Sequence, residues 1–317
     1  MIHNSGTNKL NLATRLSRGW GKVNEILAII KEAPLGRHKI MSGMILRKAM
    51  LFNTMLFNSE AWHGFDSKQI EAFEKIDEAL IRGLVSGHSK IPVTALYLET
   101  GQIPVRFVMA CRRILYLQTI LHCDPEELIY RVYAAQKREP VPGDFCQLVE
   151  KDLQLLDLQL SDETISRMSK YDLKILVKTK SRKQAFQYLI AIKETKTKLD
   201  NICYLNNFKP LPYLQLMTRE QSSLLMALRT RTVRGIRSDF GDMFLDKTCP
   251  LENCLELDSI PHLLACRALQ GAVPRSTTAQ YGDVFSPDQE RQEEATVLFG
   301  QLLAARDKLL ESQAARI

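Results

Sequence analysis

Apolar residues recur every three or four positions along most of this chain, and this spacing limits what the chain can fold into. Between residues 16 and 30 they are Leu16, Trp20, Val23, Leu27 and Ile30. With 3.6 residues per turn, such steps place the side chains on one face of a helix. The spacing therefore predicts a helix with one apolar stripe, to which Trp20 belongs.

Local signals for the starts of helices agree with this spacing. Thr218 followed by Gln221 is a capping-box pattern, in which two side chains satisfy free backbone amides. Pro104 suits the first turn of another helix. Strand signals are limited to short alternating stretches such as residues 91–93, and no hairpin dipeptide separates apolar runs. The predicted fold class is mainly α.

The distribution of charged residues and the number of cysteines bear on the cellular compartment in which such a chain is found. The longest uncharged run is the eleven residues from Ala49 to Ser59, whereas a membrane-spanning helix needs about 20. Residues 1–5 lack the order of charges and apolar residues of a signal peptide. We therefore expect no membrane partner and an intracellular location, nuclear or cytoplasmic. In that setting, the seven cysteines are expected to be thiols or metal ligands and not disulfides.

The strongest chemical signal is a cluster near the C-terminus with the spacing C-x4-C-x7-H-x3-C. Its residues are Cys249, Cys254, His262 and Cys266. His262 and Cys266 are four residues apart, so a helix capped by Asp258 or Ser259 would present both on one face. Four such ligands suit tetrahedral zinc in a structural site with no open coordination position. The alternative is three buried thiols and a histidine that are close only in sequence.

Positive charge is concentrated in one quarter of the chain. Residues 161–240 contain 16 lysines and arginines against 7 acidic residues, while the whole chain has a net charge of +7. The candidate nucleic-acid contacts are Lys170, Lys174, Lys178, Lys180, Arg182, Lys183, Arg229, Arg231, Arg234 and Arg237. Such side chains can neutralise phosphates of RNA or DNA. The alternative is a solvated helix face.

Three aromatic residues lie among these charges. Tyr171, Phe186 and Tyr188 could stack on bases or belong to the core.

The patterns of known catalytic sites are missing from the sequence. It contains no Asp-Asp pair, no phosphate-binding Gly-x-x-x-x-Gly-Lys-Ser/Thr loop and no Gly-x-Ser-x-Gly motif. We therefore predict no catalytic residues in this chain.

An ordered series of motifs resembles one family. The series is 60–62 (EAW), 95–101 (ALYLETG), 103–106 (IPVR), 112–117 (RRILYL) and 142–145 (PGDF), with 262–266 (HLLAC) near the end. In this order it resembles the region after the polymerase palm in non-LTR (LINE-type) retrotransposon reverse transcriptases. The family's cysteines are usually separated by two residues, whereas Cys249 and Cys254 are separated by four.

The resemblance implies a division of the chain and a limited role for it. A helical thumb-like bundle would span residues 1–138, a basic helical linker 139–205, a helix with the zinc-binding module 206–280, and a helical tail 281–317. These parts would grip template–primer duplex, RNA or target DNA. The palm aspartates that bind magnesium have no counterpart here, so the chain itself would not polymerise.

Two other functions stay open at this point. The first is a helical protein-interaction protein with no nucleic-acid role, which the all-α pattern and the missing catalytic groups also fit. The second is part of an active RNA-directed DNA polymerase, which applies if the reading frame extends upstream of Met1. The oligomeric state is not predicted.

Overall fold

A computed structural model gives the fold, and its helices confirm the predicted class. It describes residues 9–62, 67–85, 90–200, 202–204, 208–238, 246–252, 254–272 and 278–315. Of these described residues, 73% are helical. Within the described residues no strand forms, and the β structure is an isolated antiparallel bridge between Thr248 and Leu257. The protein is therefore mainly α, and residues 91–93 lead into a helix instead of a strand.

The first helices form a bundle around the apolar side of α1. This part contains α1 (Lys9–Glu32), α2 (Lys39–Leu46), a π-helical turn (Arg47–Phe52), α3 (Asn53–Met55) and α4 (Ser67–Val85), with 3-10 turns at Gly36–His38 and Ser59–Ala61. Helix α1 packs against α2, α3 and α4. Val23, Ile26 and Ile30 are buried, but Trp20 is 46% exposed. The predicted stripe was wrong for Trp20, because the buried side of α1 is turned toward Gly19, whose position lies against Ile76.

Helix α6 is the centre of the middle part. A proline is the N-cap residue of both α5 (Val93–Thr100) and α6 (Val105–Leu121), so Pro104 lies immediately before the first turn of α6 and not within it. Helix α6 packs against α4, α8 and α10. Phe107, Ile114 and Leu117 are buried there, as their spacing indicates. Helix α6 therefore joins the first bundle to the basic region.

Side-chain caps begin the next helices. Asp144, Ser161 and Ser169 each accept a hydrogen bond from a backbone amide in the first turn. They start α8 (Phe145–Leu155), α9 (Asp162–Arg167) and α10 (Lys170–Glu194), after α7 (Leu128–Arg138). Helix α10 packs against α5 and α6 along one side. The opposite side of this 25-residue helix remains at the surface.

The last part of the chain contains four further helices. After a 3-10 turn (Thr197–Leu199), α11 (Tyr213–Leu216) leads into α12 (Arg219–Arg229), where the predicted capping box of Thr218 and Gln221 is present. The remaining elements are α13 (Ile260–Ala265), 3-10 turns at Arg267–Ala272 and Tyr281–Phe285, and α14 (Gln289–Ala314). Helix α14 packs against both α12 and α13. Because His262 lies on α13, this packing attaches the cysteine–histidine cluster to the rest of the helices.

The four predicted segments share one continuous core. Buried residues from the first to the last helix form a single apolar cluster, which includes Val23, Ile114, Leu189 and Phe299. The predicted boundary at 205–206 falls outside the described residues. The division into segments stays a prediction.

Candidate metal centre and nucleic-acid interface

A short pair of antiparallel segments presents the first two cysteines of the cluster. The backbone amide of Cys249 donates to the carbonyl of Glu256 at 2.8 Å, and that of Asp258 donates to Lys247 at 2.8 Å. Between these segments the chain turns back, because the amide of Cys254 donates to the carbonyl of Leu251 at 3.2 Å. This hydrogen bond keeps Cys254 near Cys249 despite the wider spacing of the two cysteines.

Helix α13 presents the other two residues. Ser259 caps it, and its Oγ accepts from the amide of His262 at 3.3 Å, as one of the two predicted caps requires. Pro261 lies in the first turn. The amide of Cys266 donates to the carbonyl of His262 at 2.8 Å, so one helical turn separates the two side chains. They reach the same side of α13.

All four predicted ligands come together. One ligand atom from each of Cys249, Cys254, His262 and Cys266 lies within 4.8 Å of the others. The Sγ of Cys254 is 3.2 Å from Nε2 of His262. In tetrahedral zinc with sulfur at 2.3 Å, neighbouring sulfurs are about 3.8 Å apart, so the arrangement is of the right size. The cluster could hold a metal ion.

The surroundings of the thiols also suit a cation. Cys249 and Cys266 are buried, with 5% and 1% of their surface exposed. Burial, followed by the nearby Cys266 and Cys254, raises the pKa of Cys249 to about 12. A thiol in such a place is deprotonated by a bound metal ion, whose charge outweighs the cost of burial. The residues present therefore fit a soft divalent cation.

Asp258 attaches this cluster to the helical body instead of capping α13. Its Oδ2 accepts from Nη2 of Arg306 at 2.8 Å and from the amide of Arg237 at 2.8 Å. Both charged side chains are buried, with 0% and 2% exposed. Sequence reasoning considered Asp258 only as a cap, since its partner is 48 positions away on α14.

The first basic run lies on the surface of α10. Five of its predicted contacts are exposed, namely Lys170, Lys174, Lys178, Arg182 and Lys183. Lys180 is partly buried and pairs with Asp157 at 3.1 Å. The opposite stripe of the helix, from Leu173 through Val177 to Leu189, is buried. The predicted residues on α10 therefore form a surface that a polyanion could reach.

The three aromatic residues near this run have different surroundings. Tyr188 packs edge-on against Phe107 at 5.8 Å between ring centres. Phe186 packs against Phe208 at 6.1 Å. Tyr171 is 71% exposed. Two of the residues thus take part in tertiary packing, while the third stands beside the lysines.

The second basic run begins with an arginine of the core. Arg229 is 6% exposed, and its Nε lies 3.2 Å from Oε1 of the fully buried Glu99. It also donates to the carbonyl of Val284 at 2.9 Å. Glu99 further accepts from the hydroxyls of Tyr204 and Tyr213. Arg229 is therefore placed where no phosphate reaches it, because a buried carboxylate needs its charge.

The other three arginines of this run are divided between structure and surface. Arg237 is bound to the metal-cluster region, since its Nη1 lies 3.2 Å from the carbonyl of Thr248 and 3.4 Å from Asp246. Arg231 is partly buried. Arg234 is exposed. The run that looks like a binding patch in the sequence thus offers little surface.

One residue near the α10 run was missed by sequence reasoning. Lys48 is exposed on the π-helical turn. Partial burial, then the charges of Arg47, Arg182 and Lys178, lower its pKa. Lys48 is thus close enough to α10 for the charges of Arg182 and Lys178 to repel its own. Nothing in the sequence signals this, because 130 positions separate Lys48 from Lys178.

Comparisons with known proteins leave the family open. Comparison of the chain with protein-family models, curated proteins and solved structures gave no match. The resemblance to retrotransposon reverse transcriptases therefore depends on the sequence motifs alone and stays a prediction. A search of the described residues for an apolar helix of membrane-spanning length found none.

Proposed function

We propose that this chain binds RNA or DNA through the basic face of α10. The observation that carries the proposal is the exposure of Lys170, Lys174, Lys178, Arg182 and Lys183 on one helix. Helix α10 holds seven basic residues and two acidic ones. Lysine and arginine at such positions neutralise phosphates and release condensed counterions, which gives binding its strength. A localised positive surface of this kind fits a polyanionic partner.

A salt titration tests this function. The protein is titrated into fluorescein-labelled RNA and DNA, and binding is followed by fluorescence anisotropy over a range of salt concentrations. Neutralising Z phosphates gives a slope of log K against log salt of about −0.7Z to −0.9Z. A slope near zero, or no binding at low salt, contradicts the proposal.

We further propose that the cysteine–histidine cluster holds structural zinc. Three thiolates and one imidazole fill a tetrahedral shell, so no position is left for a substrate or a reactive water. The ion would hold the turn carrying Cys249 and Cys254 against α13. Through Asp258 and Arg306, it would also keep this region in place on α14.

The motif series extends the proposal to a larger protein. The chain would be the nucleic-acid-gripping portion of a retrotransposon reverse transcriptase, and the proposal assigns polymerase chemistry to none of its residues. Translating the genomic DNA upstream of Met1 tests this. An open frame carrying a tyrosine-x-Asp-Asp box would make the chain part of an active polymerase. An upstream frame that codes for an unrelated protein would contradict the family.

One observation favours a protein partner as a second candidate function. Helix α7 exposes the apolar side chains of Leu128 and Val132, which lie one turn apart, at 77% and 47%. Exposed apolar patches are typical of interaction sites. Affinity capture after nuclease treatment separates the two functions. A defined protein retained after nuclease supports this candidate, and the loss of all partners contradicts it.

A further inference from the structure

Helix α10 carries a second exposed line of side chains beside its lysines. Tyr171 and Ile175 directly follow Lys170 and Lys174, and they are 71% and 46% exposed. Residues four apart are neighbours on a helix, so the ring and the isoleucine lie together along the basic face. The basic face of α10 thus includes a large apolar surface among its charges.

Tyr171 contributes little to the packing of the fold. Its hydroxyl makes no hydrogen bond to another described residue, and its ring has no aromatic partner among them. The buried side of α10 is formed by Leu173 and Val177. A ring that is mostly in water, with Lys170 before it and Lys174 one turn after it, has the features of a stacking platform, although Asp172 also adjoins it.

Lys48 widens the basic face at the other end. It lies on the π-helical turn, an element separate from α10, and its charge is felt beside those of Lys178 and Arg182. From Lys170 to Arg182 the helix rises about 18 Å, at about 1.5 Å per residue. Positive charge therefore runs from Tyr171 along α10 to Lys48, which suits a strand lying along the helix.

We propose that the basic face of α10 selects unpaired over base-paired nucleic acid, with a base stacked on Tyr171 and phosphates bound by Lys174, Lys178 and Lys48. This inference depends on the proposed nucleic-acid function and names its substrate class. Bases within a duplex are covered on both faces by their neighbours, whereas an unpaired base can stack on an aromatic ring. Charge alone would not distinguish the two, since every strand carries phosphates.

The test compares a single strand with the duplex of the same sequence, in both RNA and DNA. Binding is measured by fluorescence anisotropy for the wild type, Tyr171→Ala, Tyr171→Leu and Tyr171→Phe. We expect tighter binding of the single strand by the wild type and by Tyr171→Phe. Tyr171→Ala and Tyr171→Leu should lose about 5- to 150-fold in single-strand affinity, because stacking contributes about 1–3 kcal/mol per base. Tyr171→Leu is the matched control, since it keeps apolar bulk but has no aromatic face.

The salt slope separates stacking from charge. Tyr171→Ala removes no cation, so its slope of log K against log salt should equal that of the wild type. Lys48→Gln should reduce the slope, whereas Lys308→Gln, at an exposed position of α14, should leave it unchanged. Circular dichroism confirms that the variants fold, which the exposure of Tyr171 leads us to expect.

The outcomes distinguish the inference from the function on which it depends. Equal or tighter binding of the duplex overturns the inference while the proposed function stands. A Tyr171→Leu variant that binds single strands like the wild type also overturns it. The absence of binding to any probe at low salt overturns both.

Discussion

The basic face of α10 and the arginine run from Arg229 to Arg237 carry similar charge in different surroundings. On α10, five basic side chains reach solvent and the packed side of the helix contains no lysine or arginine. In the arginine run, Arg229 is paired with Glu99 in the core and Arg237 is bound to the region around Thr248. One region is a surface, and the other helps to hold the structure together.

The difference shows how the position of a charge decides its role. Helix α10 is long and packs along one side, so basic residues four positions apart stay at its solvent edge. Arg229 is the last residue of α12, which packs against α14, and its side chain reaches the buried carboxylate of Glu99 on α5. A count of charges in a segment therefore predicts a binding surface only when neighbouring elements leave the segment uncovered.

Removing the metal should have the largest effect, and it should change hydrogen exchange in the arginine run but not in α10. If the cluster holds zinc, binding accounts for about 10–16 kcal/mol of apparent folding free energy, as in zinc-finger peptides. We expect chelation to increase hydrogen exchange in residues 246–272 and around Arg237, while α10 keeps its protection. Hydrogen-exchange mass spectrometry measures both regions in one sample.

Metal analysis of variants checks the ligand set. Cys266→Ser should lose the ion, and Cys203→Ser, at an exposed thiol outside the cluster, should retain it. Equal zinc in the wild type and in Cys266→Ser would exclude these ligands.

Replacing the buried arginine should have the next largest effect. Arg229→Met leaves Glu99 buried without its cation, so we expect the free energy of unfolding to fall by about 3–5 kcal/mol. Arg234→Met, five residues away and exposed, should change it by about 0.5 kcal/mol or less. Urea denaturation followed by circular dichroism gives both values. Adding Glu99→Gln to Arg229→Met should restore part of the loss, and equal effects of the two single variants would contradict the distinction.

Neutralising surface charge should change binding but not stability. A triple variant with Lys174→Gln, Lys178→Gln and Arg182→Gln should reduce the slope of log K against log salt by about 0.7–0.9 for each phosphate that the protein no longer neutralises. Arg231→Gln combined with Arg234→Gln should reduce it less, since Arg231 is partly buried. Fluorescence anisotropy at several salt concentrations measures the slopes. A larger reduction from the second variant would reverse the assignment of the two regions.

The smallest effect concerns a thiol beneath the basic face. Cys111 of α6 lies 3.8 Å from the carbonyl of Val177 in α10, and burial raises its pKa to about 11. Because only the thiolate reacts, alkylation of Cys111 at neutral pH should be slow and should accelerate as the pH approaches 11. Exposed Cys203 should be labelled first, which peptide mass spectrometry can follow. Rapid labelling of Cys111 at neutral pH would mean that α10 is not packed on α6 as described.

The sequence predicted the helical class and the candidate ligands because both depend on local spacing. Capping patterns such as Thr218 with Gln221 act within one turn, so they are readable from the chain alone. His262 and Cys266 lie on one helical turn, which the spacing also states. The prediction for Trp20 was wrong because a repeat of four and three residues does not fix which side of the helix its neighbours cover. A rotation of the helix by about one residue buries Gly19 and exposes Trp20.

Long-range partners could not be predicted in the same way. Glu99 and Arg229 are 130 positions apart, Asp258 and Arg306 are 48 apart, and no local pattern pairs them. The same holds for the proximity of Lys48 to α10. It also holds for the different surroundings of Tyr171, which is exposed, and Tyr188, which packs against Phe107. From the amino-acid sequence one can read the mainly α class, the cluster of three cysteines and a histidine, and the concentration of positive charge. Which charges face water and which are paired in the core depends on the fold, because burial involves elements that are distant along the chain.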